Sequence, residues 1–265
     1  MSTPGAAEFT TCCAAAYSSD LVALLLGESY HPGGLRLTRR LAASMSLAAG
    51  DRVVDVAAGR GASALMLARE FDVTVDGVDL SAVNVALANG AARAAGLAER
   101  AVFGTGDSQA LPYPDGAFDT VICECAWCTF ADKPAAAAEF ARVLRPGGRV
   151  GITDVTASPT ELPDGLTTLA ARIACIGDAR PLDGYADLLA AAGLRVRHTE
   201  RHDTAIVRMI DHIEARLALI RMTARPTAEA LGLDFARVGP PLAAARAAAA
   251  AGQLGYGLLV AEKPR

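Results

Sequence analysis

Three aspartates stand where carboxylates can bind a small molecule that carries hydroxyl groups and positive charge. Asp55 lies at the end of a short apolar run, Asp79 ends a second one, and Asp107 follows a third. The carboxyl ends of parallel strands form the edge at which open α/β sheets bind nucleotide-like ligands, and an acid there can hold two ribose hydroxyls. Taken singly, Asp79 or Asp107 is better explained as a turn or N-cap residue. Three such acids at successive strand ends predict a negatively lined crevice.

A loop of small residues follows the first apolar run. Residues 53–61 have the sequence VVDVAAGRG, in which Gly59 and Gly61 let the backbone approach a ligand where a Cβ would collide. A nicotinamide dinucleotide site is the main alternative, but its fingerprint is G-x-G-x-x-G and it must hold a pyrophosphate. A pyrophosphate repels Asp55, whereas a cation attracts it. Charge complementarity therefore favours a cationic ligand.

Alternating strand and helix patterns position these residues. Apolar strand patterns alternate with helical runs, of which 82–96 and 134–144 are the clearest, and this order predicts an α/β fold with a doubly wound, mostly parallel, seven-stranded sheet. Residues 1–50 are predicted as an N-terminal helical cap on a domain at 51–265. A substrate-covering insertion is expected at about 156–182, where Pro159, Pro163 and Gly165 interrupt the pattern. A long helix at about 204–224, a plain alanine-rich helix at 243–251 and a last strand at 255–262 complete the prediction.

The order of these motifs resembles that of class I S-adenosylmethionine-dependent methyltransferases, over roughly residues 50–155. The resemblance implies a Rossmann-like fold, S-adenosylmethionine as the cofactor, and an antiparallel pair of last strands at the sheet edge. It implies that Asp55 and its loop hold the methionine portion, that Asp79 holds the ribose, and that Asp107 lies at the adenine. Ala57 stands where the family usually has a glycine. The donor-binding residues implied in this way are Asp55, Ala57, Gly59, Gly61, Asp79, Leu80, Asp107, Ser108 and Glu124.

The cysteines offer a second kind of chemistry. The fourth predicted strand, which begins at Phe118, is predicted to end near Glu124. This puts Cys125 at the mouth of the crevice, beside the donated methyl group. Residues 124–133, ECAWCTFADK, resemble the cysteine-bearing segment after strand 4 of arsenite methyltransferases, and 174–179, ACIGDA, resemble their downstream segment, although Asp178 replaces an expected glycine. The resemblance implies that Cys125 and Cys175, with Cys12 or Cys13, hold trivalent arsenic. A soft atom of this kind prefers sulfur ligands. Its lone pair can attack the methyl group directly, so the enzyme must align the arsenic with the methyl group and needs no base to remove a proton.

An organic acceptor, methylated on oxygen, nitrogen or carbon, is the alternative. The cysteines are then core residues, because Cys is among the residue types most often buried. An oxygen nucleophile needs a base within hydrogen-bond reach, and His31 and His202 are the candidates. Tyr30 and His31 are expected to line the acceptor pocket. A third class, a binding or regulatory protein on the same fold that has lost catalysis, stays open, although no residue argues for it and the donor-site acids are all present.

The composition of the chain argues against a nucleic acid or a membrane as the partner. The chain has 265 residues, 52% of them hydrophobic and 20% charged, and a net charge of −4. No basic run suits a nucleic acid, and no window reaches the roughly 18 apolar residues that span a bilayer. Residues 1–8 lack a secretory signal, so a cytoplasmic location without a disulfide framework is expected. Zinc would need paired C-x-x-C units, and the chain has one at 125–128, so no metal is expected. The predicted partner is a small-molecule acceptor, and the protein is a monomer or a homodimer.

Overall fold

The computed structural model describes residues 17, 20–27, 30–158, 162, 166 and 175–265. Within this part of the chain lies a seven-stranded sheet with the order β3-β2-β1-β4-β5-β7-β6. Its strands pair in parallel, except that β7 runs antiparallel to both β5 and β6. The predicted doubly wound sheet and its antiparallel last pair are therefore confirmed. The strands are β1 Arg52–Val56, β2 Thr74–Asp79, β3 Ala101–Thr105, β4 Phe118–Glu124, β5 Leu144–Ala157, β6 Arg195–Arg201 and β7 Leu254–Glu262.

Helices pack on both faces of this sheet. Strand β7 shows why, because Tyr256, Leu258 and Val260 face one apolar cluster while Leu259 and Ala261, which alternate with them, face the other. A strand buried on both faces has an almost continuous apolar sequence. No helix in the described part of the chain has a run long and apolar enough to cross a bilayer. The helices are α1 Asp20–Leu26, α2 Gly34–Ser44, α3 Ala62–Glu70, α4 Ala82–Ala94, α5 Lys133–Val143, α6 Leu182–Ala191, α7 Asp203–Thr223, α8 Arg225–Ala230 and α9 Phe235–Ala250, with a 3-10 turn at Trp127–Thr129.

The largest helical addition to the sheet lies between β6 and β7. Helices α7, α8 and α9 occupy this connection, and α7 packs against α1, α9 and β7. The sequence predicted the helices at 204–224 and 243–251, and it also predicted a substrate-covering insertion at about 156–182. In that stretch β5 continues to Ala157, while residues 159–161, 163–165 and 167–174 lie outside the described part. The domain bounds inferred from the sequence stay a prediction.

Candidate active site

A pocket lies at the carboxyl ends of β1, β2 and β4. Asp79 and Glu124 are the last residues of β2 and β4, and Asp55 is next to the last residue of β1. The loop after β3 adds Asp107 and Ser108. The segment before α2 closes the pocket with Tyr30 and His31. The predicted donor-binding residues on the pocket wall are Asp55, Ala57, Gly59, Asp79, Leu80, Asp107, Ser108 and Glu124.

The loop after β1 has a left-handed backbone at three positions. The φ angles are +60° at Ala57, +56° at Gly59 and +83° at Gly61. Gly61 is not on the pocket wall. A Cβ there would lie 2.8 Å from Cζ of Phe103 and 3.1 Å from Cβ of Ala88, so this glycine lets the loop pack against β3 and α4. Ala57 adopts the conformation that the usual glycine would adopt, at a cost of roughly 1–2 kcal/mol.

Asp55 is a buried carboxylate that lacks a compensating partner. Its residue is 3% exposed, and its Oδ2 has no hydrogen-bond partner among the described residues. Burial raises the pKa of Asp55 well above its ordinary value, and the negative charges of Glu124 and Asp79 raise it further. A cationic group placed beside Asp55 would compensate this charge. The sulfonium and ammonium groups of S-adenosylmethionine have the charge that this end of the pocket requires.

Asp79 ties the loop after β1 to the start of α4. Its Oδ2 accepts a hydrogen bond from the Gly59 backbone N–H at 2.8 Å, and its Oδ1 accepts from the Ser81 backbone N–H at 2.8 Å. Burial raises the pKa of Asp79, and these hydrogen bonds oppose that rise. The Asn84 side-chain amide also donates to Oδ1, at 3.3 Å. The carboxylate therefore fixes the loop geometry before any ligand binds.

Asn84 is a pocket residue that sequence reasoning missed. It is buried in the first turn of α4, and its side-chain Oδ1 has no hydrogen-bond partner among the described residues. An unpaired buried acceptor beside Asp79 suits a ligand hydroxyl. Its position five residues after a strand-end acid was the only available signal.

The predicted adenine end contains both polar and apolar surface. Asp107 Oδ1 accepts from the Gln109 backbone N–H at 2.9 Å and from its side-chain amide at 3.2 Å. The turn role that was weighed for this residue is therefore present, in addition to its position on the pocket wall. Leu80 is 42% exposed and offers an apolar surface there.

Glu124 is held by hydroxyl groups from three different elements. Ser63 on α3 donates to its Oε2 at 2.6 Å, Thr38 on α2 donates to the same oxygen at 2.9 Å, and Thr153 on β5 donates to Oε1 at 3.3 Å. These hydrogen bonds compensate a carboxylate with little solvent contact. Glu124 was predicted from the sequence, but Thr38, Ser63 and Thr153 were not, because nothing in their local sequence marks them.

His31 lies beside this carboxylate. Its ring Nε2 is 3.3 Å from Thr38 Oγ1 and 3.6 Å from Glu124 Oε2, and the residue is buried. The other candidate base, His202, is absent from the pocket wall, and its Nε2 lies 2.9 Å from Oε2 of Glu200. Of the two histidines, the structure therefore brings only His31 to the donor pocket.

Three described cysteines are brought together, and Cys125 is the one of these three that reaches the pocket. Cys125 lines the pocket with a φ of +53°, whereas Cys128 and Cys175 are 1% and 2% exposed and lie beneath it. The Cys175 Sγ is 3.1 Å from the Tyr17 hydroxyl and 3.4 Å from the Cys125 carbonyl oxygen. Hydrogen bonds from the Cys125 and Cys128 thiols lower the pKa of Cys175 well below its ordinary value.

Of the remaining cysteines, the structure describes Cys123 alone. Cys123 is completely buried in the sheet, and Cys12 and Cys13 lie outside the described residues. The described part of the chain holds no group of three or more His, Cys, Asp or Glu side chains suited to a metal ion.

Known proteins share this sequence pattern and fold. Residues 53–148 match the family described as "Methyltransferase domain". The 27-O-demethylrifamycin SV methyltransferase of Amycolatopsis mediterranei (strain S699) is 36% identical over 198 residues, which are 69% of this chain and 72% of that relative. Methyltransferase GfsG of Streptomyces halstedii is 35% identical over 164 residues, 61% of this chain and 59% of that protein.

A solved structure extends the comparison to the whole fold. The crystal structure of the [4+2]-cyclase SpnF is 28% identical, with a TM-score of 0.67, and the alignment covers 87% of this chain and 80% of that one. The acids of the pocket, the orphan oxygen of Asp55 and the glycine loop fit the donor that the methyltransferase family uses. This chain belongs to the S-adenosylmethionine-dependent methyltransferases.

Proposed function

We propose that this enzyme transfers the methyl group of S-adenosylmethionine to a hydroxyl oxygen of a small organic acceptor of the natural-product type. The observation that carries the proposal is a buried histidine, His31, next to the carboxylate of Glu124 on the wall of the donor pocket. The 36% identical relative, named for O-demethylrifamycin methylation, supports an oxygen acceptor. When bound, S-adenosylmethionine supplies an electrophilic methyl group.

His31 has the position of a general base. A hydroxyl group is a poor nucleophile until its proton is removed, and a positioned base contributes typically about 10²–10⁴-fold to the rate. The imidazole of His31 takes the proton of the acceptor hydroxyl. Glu124, fixed by its three hydroxyl donors, then stabilises the positive charge on the ring.

The other pocket residues bind and align. Asp55 binds the cationic end of the donor, while Asp79 and Asn84 bind its hydroxyl groups. Alignment of the donor with the acceptor is the main requirement of an in-line methyl transfer. The hydrogen bonds that hold Asp79 and the glycine loop support this role, because they fix the loop in advance.

A soft-atom acceptor such as arsenite stays a prediction. The grouping of Cys125 with Cys128 and Cys175 favours it, since the three thiols share hydrogen bonds. Two of these sulfurs are buried beneath the pocket, and the comparisons lend no support to an arsenite-specific relative. An organic acceptor accounts for the pocket without requiring the buried thiols to move.

The test is donor consumption against a panel of acceptors. We expect S-adenosylhomocysteine to form with a phenol or with 27-O-demethylrifamycin SV, and His31→Asn to lower kcat by at least about 100-fold, with partial recovery at high pH. The dissociation constant for S-adenosylhomocysteine should not change. His198→Asn, a substitution of a partly buried histidine outside the pocket wall, is the control and should keep full activity.

Three results would contradict the proposal. Turnover with arsenite alone, abolished by Cys125→Ser or Cys175→Ser, would establish the soft-atom acceptor instead. Full activity of His31→Asn would remove His31 as the base. Donor binding without turnover across the whole panel would indicate a protein that has lost catalysis or performs another reaction on this fold.

A further inference from the structure

A second cleft lies next to the donor pocket, between the loop at 30–34, α2 and α7. Its volume is about 840 Å³, which suits a drug-sized molecule. His31 lies on the walls of both the cleft and the donor pocket. A molecule in the cleft can therefore reach the side chain that faces the donor.

The cleft is strongly cationic in a chain whose net charge is −4. Four arginines line it, two from α2 and two from α7, and no aspartate or glutamate is among its described lining residues. Positive charge of this density in a recess attracts anions. The lining arginines are Arg36, Arg40, Arg208 and Arg216.

The basic side chains of α7 that line the cleft are separated from the acidic side chains of the same helix. Arg208, His212 and Arg216 are spaced four residues apart and so share one face of the helix, which faces the cleft. The acids Asp211 and Glu214 instead accept hydrogen bonds from Arg246 of α9, at 2.6 and 2.8 Å. Three basic side chains of α7 therefore face the cleft, while Asp211 and Glu214 are paired with α9.

Two of the four arginines are available to a ligand. Arg40 forms an ion pair with Glu200, and Arg216 donates to the Leu24 carbonyl oxygen at 3.1 Å. Arg36 and Arg208, both exposed, make no ion pair with any other described residue. A guanidinium that faces solvent in a recess is suited to a bidentate hydrogen bond with a carboxylate or phosphate.

Apolar side chains share the walls with these cations. Leu37 from α2 and Ile213 from α7 lie on the cleft wall, as do Leu25, Leu26 and Met209. The combination fits a molecule with an apolar body and an acidic group.

We propose that this cleft binds the methyl acceptor, and that the acceptor is an amphipathic small-molecule anion. Arg36 and Arg208 hold its carboxylate or phosphate, the apolar walls hold its body, and its hydroxyl group reaches His31. The inference rests on the proposed function, because it takes His31 as the place where the acceptor loses its proton.

The experiment measures probe binding to protein saturated with S-adenosylhomocysteine, so that the donor pocket is filled. The probes are 1-naphthyl phosphate, 1-naphthoate and neutral 1-naphthol. Calorimetry measures the dissociation constant of each probe. We expect at least one anion to bind about tenfold or more tightly than 1-naphthol, which is the scale of a charge-assisted hydrogen bond. The tighter of the two anions identifies the acidic group of the acceptor.

Variants locate the binding site. The double substitution Arg36→Gln with Arg208→Gln should remove the preference for the anion and leave the affinity for 1-naphthol unchanged. Arg221→Gln, on the same helix but outside the cleft, is the matched control and should stay within about twofold of wild type.

Two results would overturn the inference about the cleft and leave the proposed function in place. One is equal affinity for 1-naphthol and both anions. The other is equal loss of anion binding in the double variant and in Arg221→Gln. The dissociation constant of S-adenosylhomocysteine, measured first, separates the two proposals, because failure at that step concerns the donor pocket and not the cleft.

Discussion

Asp55→Asn should stabilise the free protein and weaken donor binding at the same time. The substitution keeps the size of the side chain and removes one negative charge. In the free protein that charge is buried, and Glu124 and Asp79 repel it. With the donor bound, the same charge faces a cation. The two effects therefore have opposite signs.

The magnitudes follow from the burial and the neighbouring charges of Asp55. Two like charges about 5 Å apart at an effective dielectric constant of about 20 repel by roughly 3 kcal/mol. Partial protonation of Asp55 already relieves part of this repulsion, because its pKa is raised, so we expect a gain of about 1–2 kcal/mol in unfolding free energy. For a protein of this size each kcal/mol corresponds to about 2–4 °C in Tm. The lost charge-assisted interaction, about 1.5–3 kcal/mol, weakens donor binding roughly 10- to 150-fold.

Two measurements check this prediction. Thermal unfolding without ligand gives the change in Tm, and calorimetry with S-adenosylmethionine gives the change in affinity. Asp187→Asn, which neutralises an exposed acid on α6, is the control and should change neither quantity. An Asp55→Asn variant with a lower Tm, or with wild-type donor affinity, would refute the assignment of Asp55 to the cationic end of the donor.

Two further predictions concern the backbone and pH. Ala57→Gly should raise the unfolding free energy by about 1 kcal/mol, because φ is +60° at this position; a lower Tm would show that the alanine is unstrained. Asp154 is completely buried, and burial, followed by the negative charge of Cys175, raises its pKa to about 7. Since its unfolded pKa is about 3.9, the folded state binds the extra proton between pH 4 and 7, and stability falls as the pH rises through that range. Asp154→Asn should flatten this decline in denaturant titrations at a series of pH values, and a slope identical to that of wild type would exclude Asp154 as its source.

Local patterns in the sequence accounted for the donor end of the site. Asp79 is the last residue of one apolar strand and Asp55 is next to the last residue of another. A position at the carboxyl end of a strand places the side chain at the sheet edge without further information. The partners of Glu124 were not predictable in this way. Thr38 and Ser63 reach it from two helices, and their contact depends on how those helices pack rather than on any local pattern.

The same limit applies to the cysteines and to the second cleft. Cys125 was placed correctly at the end of β4, but Cys175 lies beneath the pocket, where its Sγ is 3.4 Å from the Cys125 carbonyl oxygen. The cleft exists only because α7 folds back onto the N-terminal helices, which are about 180 residues away in sequence. No short-range periodicity contains this information.

The 203–250 segment leaves and re-enters the sheet through adjacent strands. Arg201 at the end of β6 pairs with Gly257 near the start of β7, and the His202 backbone N–H donates to the Tyr256 carbonyl oxygen at 2.7 Å. Three helices are thus inserted as if they were one oversized hairpin loop. The entropic cost of closing a loop grows only slowly with its length. The 203–250 segment can therefore be lengthened, shortened or exchanged while the pairing of β6 with β7 keeps its register.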